Sequence, residues 1–102
     1  MTVATLSPRA RRDLADAVRW IAEDNPIAAQ GLVEAVANAA ARMGTHRQIG
    51  VVRSDLTTGP YRFVMLTGYR YVIAYAPNRD PPLILRILHM SRDLPRVLRN
   101  LQ

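Results

Sequence analysis

The fold is decided by Tyr61-Arg62-Phe63-Val64-Met65-Leu66-Thr67-Gly68-Tyr69-Arg70-Tyr71-Val72-Ile73-Ala74-Tyr75-Ala76, with Leu83-Ile84-Leu85-Arg86-Ile87-Leu88-His89 a short gap later. Aromatic and β-branched residues crowd both halves of the first run. Gly68 sits between them, where a reversal needs a permissive residue. Pro77 to Pro82 reads as a second turn. Three successive strands are predicted: Tyr61 to Thr67, Tyr69 to Ala76 and Leu83 to His89.

Upstream, the hydrophobic period changes. Ser7-Pro8 pairs an N-cap residue with proline at the first helical position. Leu14, Val18 and Ile21 then recur at helical spacing. Asn25-Pro26 ends this helix and caps another, whose apolar face is Ala29, Leu32, Val33, Val36, Ala40 and Met43, with Gly44 as its stop. So short a connection implies an antiparallel hairpin. Val3 to Thr5 is a short first strand, Thr45 to Pro60 a long loop, and Arg92 to Leu101 a terminal helix. The predicted class is α+β with order β-α-α-β-β-β, a helical hairpin on one face of a small antiparallel sheet. Residues 1–102 form one domain in this reading, since so short a chain supports one core.

Composition narrows the chemistry. Of 102 residues, 49% are hydrophobic, as in an ordinary globular protein. There is no Cys, which excludes disulfides, thiolate metal sites and cysteine nucleophiles. No apolar run reaches the length of a membrane span, and arginines interrupt any signal-like start, so a cytoplasmic location is expected. All 14 basic residues are Arg, which excludes lysine chemistry. Met1 to Met43 balances its charges, and Gly44 to Gln102 carries the whole +6. The second half is therefore the expected face for an acidic or phosphate-bearing partner. Arg9/Asp13, Arg12/Asp16 and Arg19/Glu23 read as ordinary solvated helix pairs.

Side chains alternate across a strand. Tyr61, Phe63 and Met65, then Tyr71, Ile73 and Tyr75, then Leu83, Leu85 and Ile87 are assigned to the face under the helices. Leu14, Val18, Ile21, Leu32, Val36, Phe63, Ile73, Leu85 and Ile87 would then form one core. The opposite face carries Arg62, Val64 and Leu66, Arg70, Val72 and Ala74, and Ile84, Arg86 and Leu88. A mixed cationic and apolar surface of this kind marks a binding site. The alternative is that the loop and tail fold over it. The expected partner-binding residues are Arg62, Val64, Leu66, Arg70, Arg86 and Leu88, with Trp20 on the first helix as either an anchor or a packing residue.

Leu6-Ser7-Pro8-Arg9-Ala10 with Asp13-Leu14, Ile21-Ala22-Glu23-Asp24-Asn25-Pro26, Tyr71-Val72-Ile73-Ala74-Tyr75, Ile84-Leu85-Arg86-Ile87-Leu88-His89 and Met90-Ser91-Arg92-Asp93-Leu94 occur in the order and spacing of one family. Over nearly its whole length the chain resembles the RelE/ParE toxin superfamily, and its ParE-type members in particular. The resemblance implies the toxin of a type II toxin–antitoxin system, a gyrase poison bound in a hetero-oligomer by a ParD-like antitoxin. The alternative it implies is a RelE-type nuclease cutting messenger RNA on the ribosome. That chemistry needs a base, an acid and cations for the phosphorane charge. The candidates are His89 as base, Arg62 and Arg86 as phosphate clamps, and Tyr71 or Tyr75 as a stacking platform. Arg86 and His89 would point to opposite faces of a regular strand, and no Tyr follows Tyr75. The residues therefore favour a binding protein over a catalyst. His89 also reads as the polar end of a core strand, with a ring nitrogen bonded to backbone. His46 reads as solvated. No cofactor, metal ion, membrane or specific nucleic-acid contact is expected.

Overall fold

The computed structural model describes residues 2–101. Strand β1 (Thr5–Leu6) leads directly into helix α1 (Pro8–Ala22), which is followed by α2 (Pro26–Thr45). Strands β2 (Arg62–Leu66), β3 (Tyr71–Ala76) and β4 (Leu83–His89) come next, then a short helix α3 (Leu94–Val97) and a 3₁₀ turn over Leu98–Asn100. The predicted N-caps are present, whereas α2 runs past the expected stop at Gly44 to Thr45, with His46 as its C-cap. The Ser7 hydroxyl accepts from the Ala10 N–H, and the Asn25 side chain accepts from the Ala28 N–H. The sheet order is β1-β4-β3-β2. The fold is α+β as expected, but the sheet is mixed, because β1 runs parallel to β4 while the other pairings are antiparallel.

Both faces of the sheet are buried. Under the helices lie Ile73, Tyr75, Ile84, Ile87 and Leu66, packed against Leu32, Val36, Ala40 and Met43 of α2 and Ala10 and Ala17 of α1. On the far side Phe63, Val72, Ala74 and Leu88 meet Leu56 from the loop and Leu98 and Leu101 from the tail. The two sets form separate clusters, where the alternation pattern predicts one. The loop and tail are what cover the far face.

This arrangement corrects the strand faces. In β2 the assignment reverses: Val64 and Leu66 pair across to Ile73 and Tyr71, so they share the helix-side face. Phe63 faces the far side, and Met65 is exposed. In β4 the alternation breaks. Arg86 is opposite Ala74, but Ile84 is opposite Tyr75, which leaves Leu85 as an inserted residue. Such a bulge brings Ile84 and Ile87 to the same face despite their odd spacing. Leu85 accordingly packs with the far-side cluster.

The long loop is pinned to the sheet. The Arg47 guanidinium donates to the Arg79 carbonyl at 2.6 Å and to Asp80 at 2.7 Å, clamping the turn between β3 and β4. The Tyr75 hydroxyl donates to the Arg47 carbonyl and accepts from the Gly50 N–H, at 2.8 and 2.9 Å. Arg62 donates to the Gly50 carbonyl at 2.7 Å. A Cβ on Gly50 would press on Phe63 and Tyr75, so only glycine fits this close approach.

The bulge and the second cluster have measurable consequences. Ile84→Ala should cost about 2–5 kcal/mol, and Leu98→Ala a comparable amount, because both side chains are fully buried. Leu85→Ala should cost clearly less than Ile84→Ala in urea denaturation. The opposite order would place the bulge elsewhere.

Candidate functional site

Strand β1 pairs only with Leu83 and Ile84, so the rest of the β4 edge needs another cover. Helix α1 supplies it. The Ser7 hydroxyl donates to the Leu85 carbonyl at 3.1 Å. Six residues on, the Asp13 carboxylate accepts from Arg86 Nε at 2.8 Å, from a terminal Arg86 nitrogen at 3.1 Å and from the Ile87 N–H at 3.0 Å. Only 12% of the Asp13 side chain and 10% of the Arg86 side chain remain exposed. Asp13 is thus no solvated partner of Arg9. On the exposed faces of α1 the ion pair is Arg19 with Asp16, at 2.9 Å.

Past Asp13 lies a shallow hollow of about 280 Å³, lined in part by Asp16, Trp20, Tyr71, His89 and Arg92. Trp20 is 72% exposed at its rim and belongs to neither core cluster. The Tyr71 and His89 rings meet edge to face, with centroids 5.0 Å apart. Burial pushes the Tyr71 phenol above its usual range. The Ser91 N–H donates to His89 Nδ1 at 3.1 Å, and the Ser91 hydroxyl lies 2.7 Å from the same nitrogen. Since an N–H can only donate, Nδ1 is the accepting nitrogen and the ring proton sits on Nε2. His89 therefore closes the end of a core strand against backbone.

The arginines of the sheet do not form one face. Arg86 is turned to Asp13 and buried. Arg62 holds loop carbonyls on the helix-side face of β2. Arg70 lies in the β2–β3 turn with φ +58°, outside the strand that was to carry it. Of the apolar residues grouped with them, Leu66 and Leu88 are buried in opposite clusters, and Val64 is half-buried under the helices. Tyr71 and Tyr75 are both buried, so neither offers a stacking surface. Among the described residues no three His, Asp or Glu side chains gather closely enough to hold a metal ion.

The outer edge of β2 presents a surface the strand pattern did not show. Phe63 exchanges both backbone hydrogen bonds with Val51. Met65, two residues on, faces the same way, and its N–H and C=O have no partner among the described residues. Val51, Val52 and Met65 are each more than half exposed. They border or flank a groove of about 660 Å³ along this edge, to which Arg42 and Arg53 add positive charge. The sequence signal was available in Ile49 to Val52, an apolar patch inside a segment otherwise without period.

The result is an α+β domain whose sheet is covered by the helices on one face and by loop and tail on the other, with one buried ion pair among the described residues, Asp13–Arg86. Residues 4–94 match the family described as the ParE toxin of the type II toxin–antitoxin system parDE, and the chain belongs to that family. It is also 32% identical over 89 residues to Toxin RelE3 of Caulobacter vibrioides, an alignment covering 87% of this chain and 95% of that protein. Membership of the family implies a cognate antitoxin as partner. No helix among the described residues is long and apolar enough to cross a membrane.

The Asp13–Arg86 contact can be tested directly. Asp13→Ala should destabilise the fold by about 3–5 kcal/mol, because it leaves a buried guanidinium unpaired. Replacing both residues together with apolar ones of similar size should recover much of that loss. Denaturation of the single and double variants checks this; a loss in the double variant equal to the sum of the two single losses would show that the pair is not coupled.

Proposed function

We propose that this toxin acts by binding rather than by catalysis, that it inhibits DNA gyrase, and that a ParD-like antitoxin neutralises it. The observation carrying this reading is the engagement of the three polar groups that the sequence offered for a nuclease. Arg86 is held by Asp13, Arg62 by loop carbonyls, and His89 Nδ1 by Ser91. A phosphate clamp or base drawn from them would first have to break a contact that supports the fold. The far sheet face, where Arg86 starts, is covered by Leu98 and Leu101. Gyrase inhibition itself rests on the family match.

The exposed surface supports a place for the antitoxin at the β2 edge. The β2 edge offers free backbone groups beside Val51, Val52 and Met65, which suits an extended segment adding to the sheet. Arg42 and Arg53 at its border favour acidic residues in that segment, although Arg53 also pairs with Asp55 at 2.8 Å. Trp20 and Arg70 remain exposed and complete the proposed partner-binding set. With gyrase as target, the site of action is the cytoplasm.

The second reading is the RelE-type alternative, RNA cleavage on the ribosome, and the Caulobacter relative carries the RelE name. One experiment separates the two. Purified toxin added to a gyrase supercoiling reaction should block supercoiling and accumulate cleaved DNA, while a parallel translation reaction continues. His89→Ala should retain this inhibition per folded molecule. Intact gyrase activity together with toxin-dependent cuts in ribosome-bound message would overturn the proposal.

A further inference from the structure

A second surface lies at the opposite edge of the sheet, roughly 14 Å from β2 across three strand spacings. A hollow of about 460 Å³ opens where α1 begins. Its apolar lining includes Leu83, Leu85 and Leu101, and Arg9, Arg12 and Arg79 border it. These three guanidiniums come from the first two turns of α1 and from the β3–β4 turn. All three residues are exposed, and none forms an ion pair among the described residues. Arg86 also lines the hollow, but its charge is met by Asp13.

The local electrostatics run against the usual helix design. The first turn of a helix carries the positive end of its dipole and favours acids. Here α1 has no acid in its first turn and places Arg9 there instead. The Arg9 N–H has no partner among the described residues, since Ser7 caps the N–H of Ala10. Positive charge is therefore concentrated around a recess whose lining, among the described residues, includes three leucines and no acidic side chain. This is unfavourable for the isolated chain and favourable for an anionic ligand.

The lining decides which ligand. A nucleic-acid backbone calls for cations in a track along a polar surface. Three cations around leucines call for carboxylates flanking an apolar side chain. We infer that this hollow is a second docking site, for an acidic peptide segment that inserts one apolar side chain between Leu83, Leu85 and Leu101 and sets carboxylates on Arg9, Arg12 and Arg79. The site stands apart from the β2 edge, and it does not depend on which cellular target the toxin has.

The test uses the full chain and a short synthetic peptide alternating leucine with glutamate, blocked at both ends. Binding is followed by calorimetry and by NMR of backbone amides and arginine Nε–H groups. The expected shifts centre on Arg9, Arg12, Arg79, Leu83 and Leu85. Arg12→Glu and Arg79→Glu should each weaken binding by about tenfold or more, whereas Arg19→Glu, the same charge change elsewhere on α1, should alter it little. A serine–glutamate peptide of equal charge should bind about tenfold more weakly. Arg9→Glu should weaken binding while raising the thermal midpoint, which separates lost binding from lost folding. No binding to the wild-type chain, or equal losses in Arg79→Glu and Arg19→Glu, would overturn the proposal. So would equal affinity for the serine peptide, or a short oligothymidylate that binds the same residues more tightly. Each of these results leaves the gyrase reading where the supercoiling reaction puts it.

Discussion

The structure depends on one carboxylate. Asp13 takes three hydrogen bonds, two from Arg86 and one from the N–H of Ile87. The last of these closes an edge donor of β4 that β1 is too short to reach. An uncovered edge invites pairing with another chain, and here α1 closes it with a side chain rather than a strand. The bidentate fork to Arg86 fixes where α1 sits along β4, because two parallel bonds tolerate little sliding. Removing both ions from water is costly, and the contact is worthwhile only with its full set of donors. It therefore contributes more to orientation than to net stability.

The Leu85 bulge and this ion pair belong together. Arg86 is opposite Ala74, so its side chain leaves β4 on the face away from the helices, yet it ends against a residue of α1. That path is open because β4 is unpaired by β1 beyond Ile84. The same bulge lets two apolar residues at odd spacing, Ile84 and Ile87, enter the helix-side core. Leu85 and Leu88 are thereby released to the far-side cluster, where the tail finds its footing.

Element order, both helix caps and the positions of the strands were legible because each rests on local chemistry: Ser7-Pro8, Asn25-Pro26, Gly68 and the period of the apolar residues. Face assignment was not legible, for a physical reason. Alternation names a buried face only when the other is polar, and here Phe63 and Val64, or Leu85 and Ile87, are equally apolar neighbours. Nothing local marks Leu85 as an inserted residue. Asp13 was obscured by its own spacing, since Arg9 four residues earlier offers a plausible partner on the same helix. Its real partner is 73 positions away. The His89 reading fared better, because it asked only for a backbone contact at a strand end, which the Ser91 N–H provides.

Counting charge along the chain does not say which cations face outward, and the structure separates them. Several arginines of the basic second half are engaged within the chain, some buried and some at the surface. Arg47 and Arg62 bind backbone carbonyls, Arg86 binds Asp13 and Arg53 binds Asp55. Arg47, Arg53 and Arg86 each use two guanidinium nitrogens, the planar fork that distinguishes Arg from Lys. A guanidinium so engaged contributes less field to the outside than its sequence position suggests. The electrically neutral first half keeps Arg9 and Arg12 free of ion pairs at the start of α1, where the helix dipole adds to them. The field a partner meets is thus set by which cations the fold leaves without ion pairs, and Arg9, Arg12 and Arg79 gather such cations around one hollow.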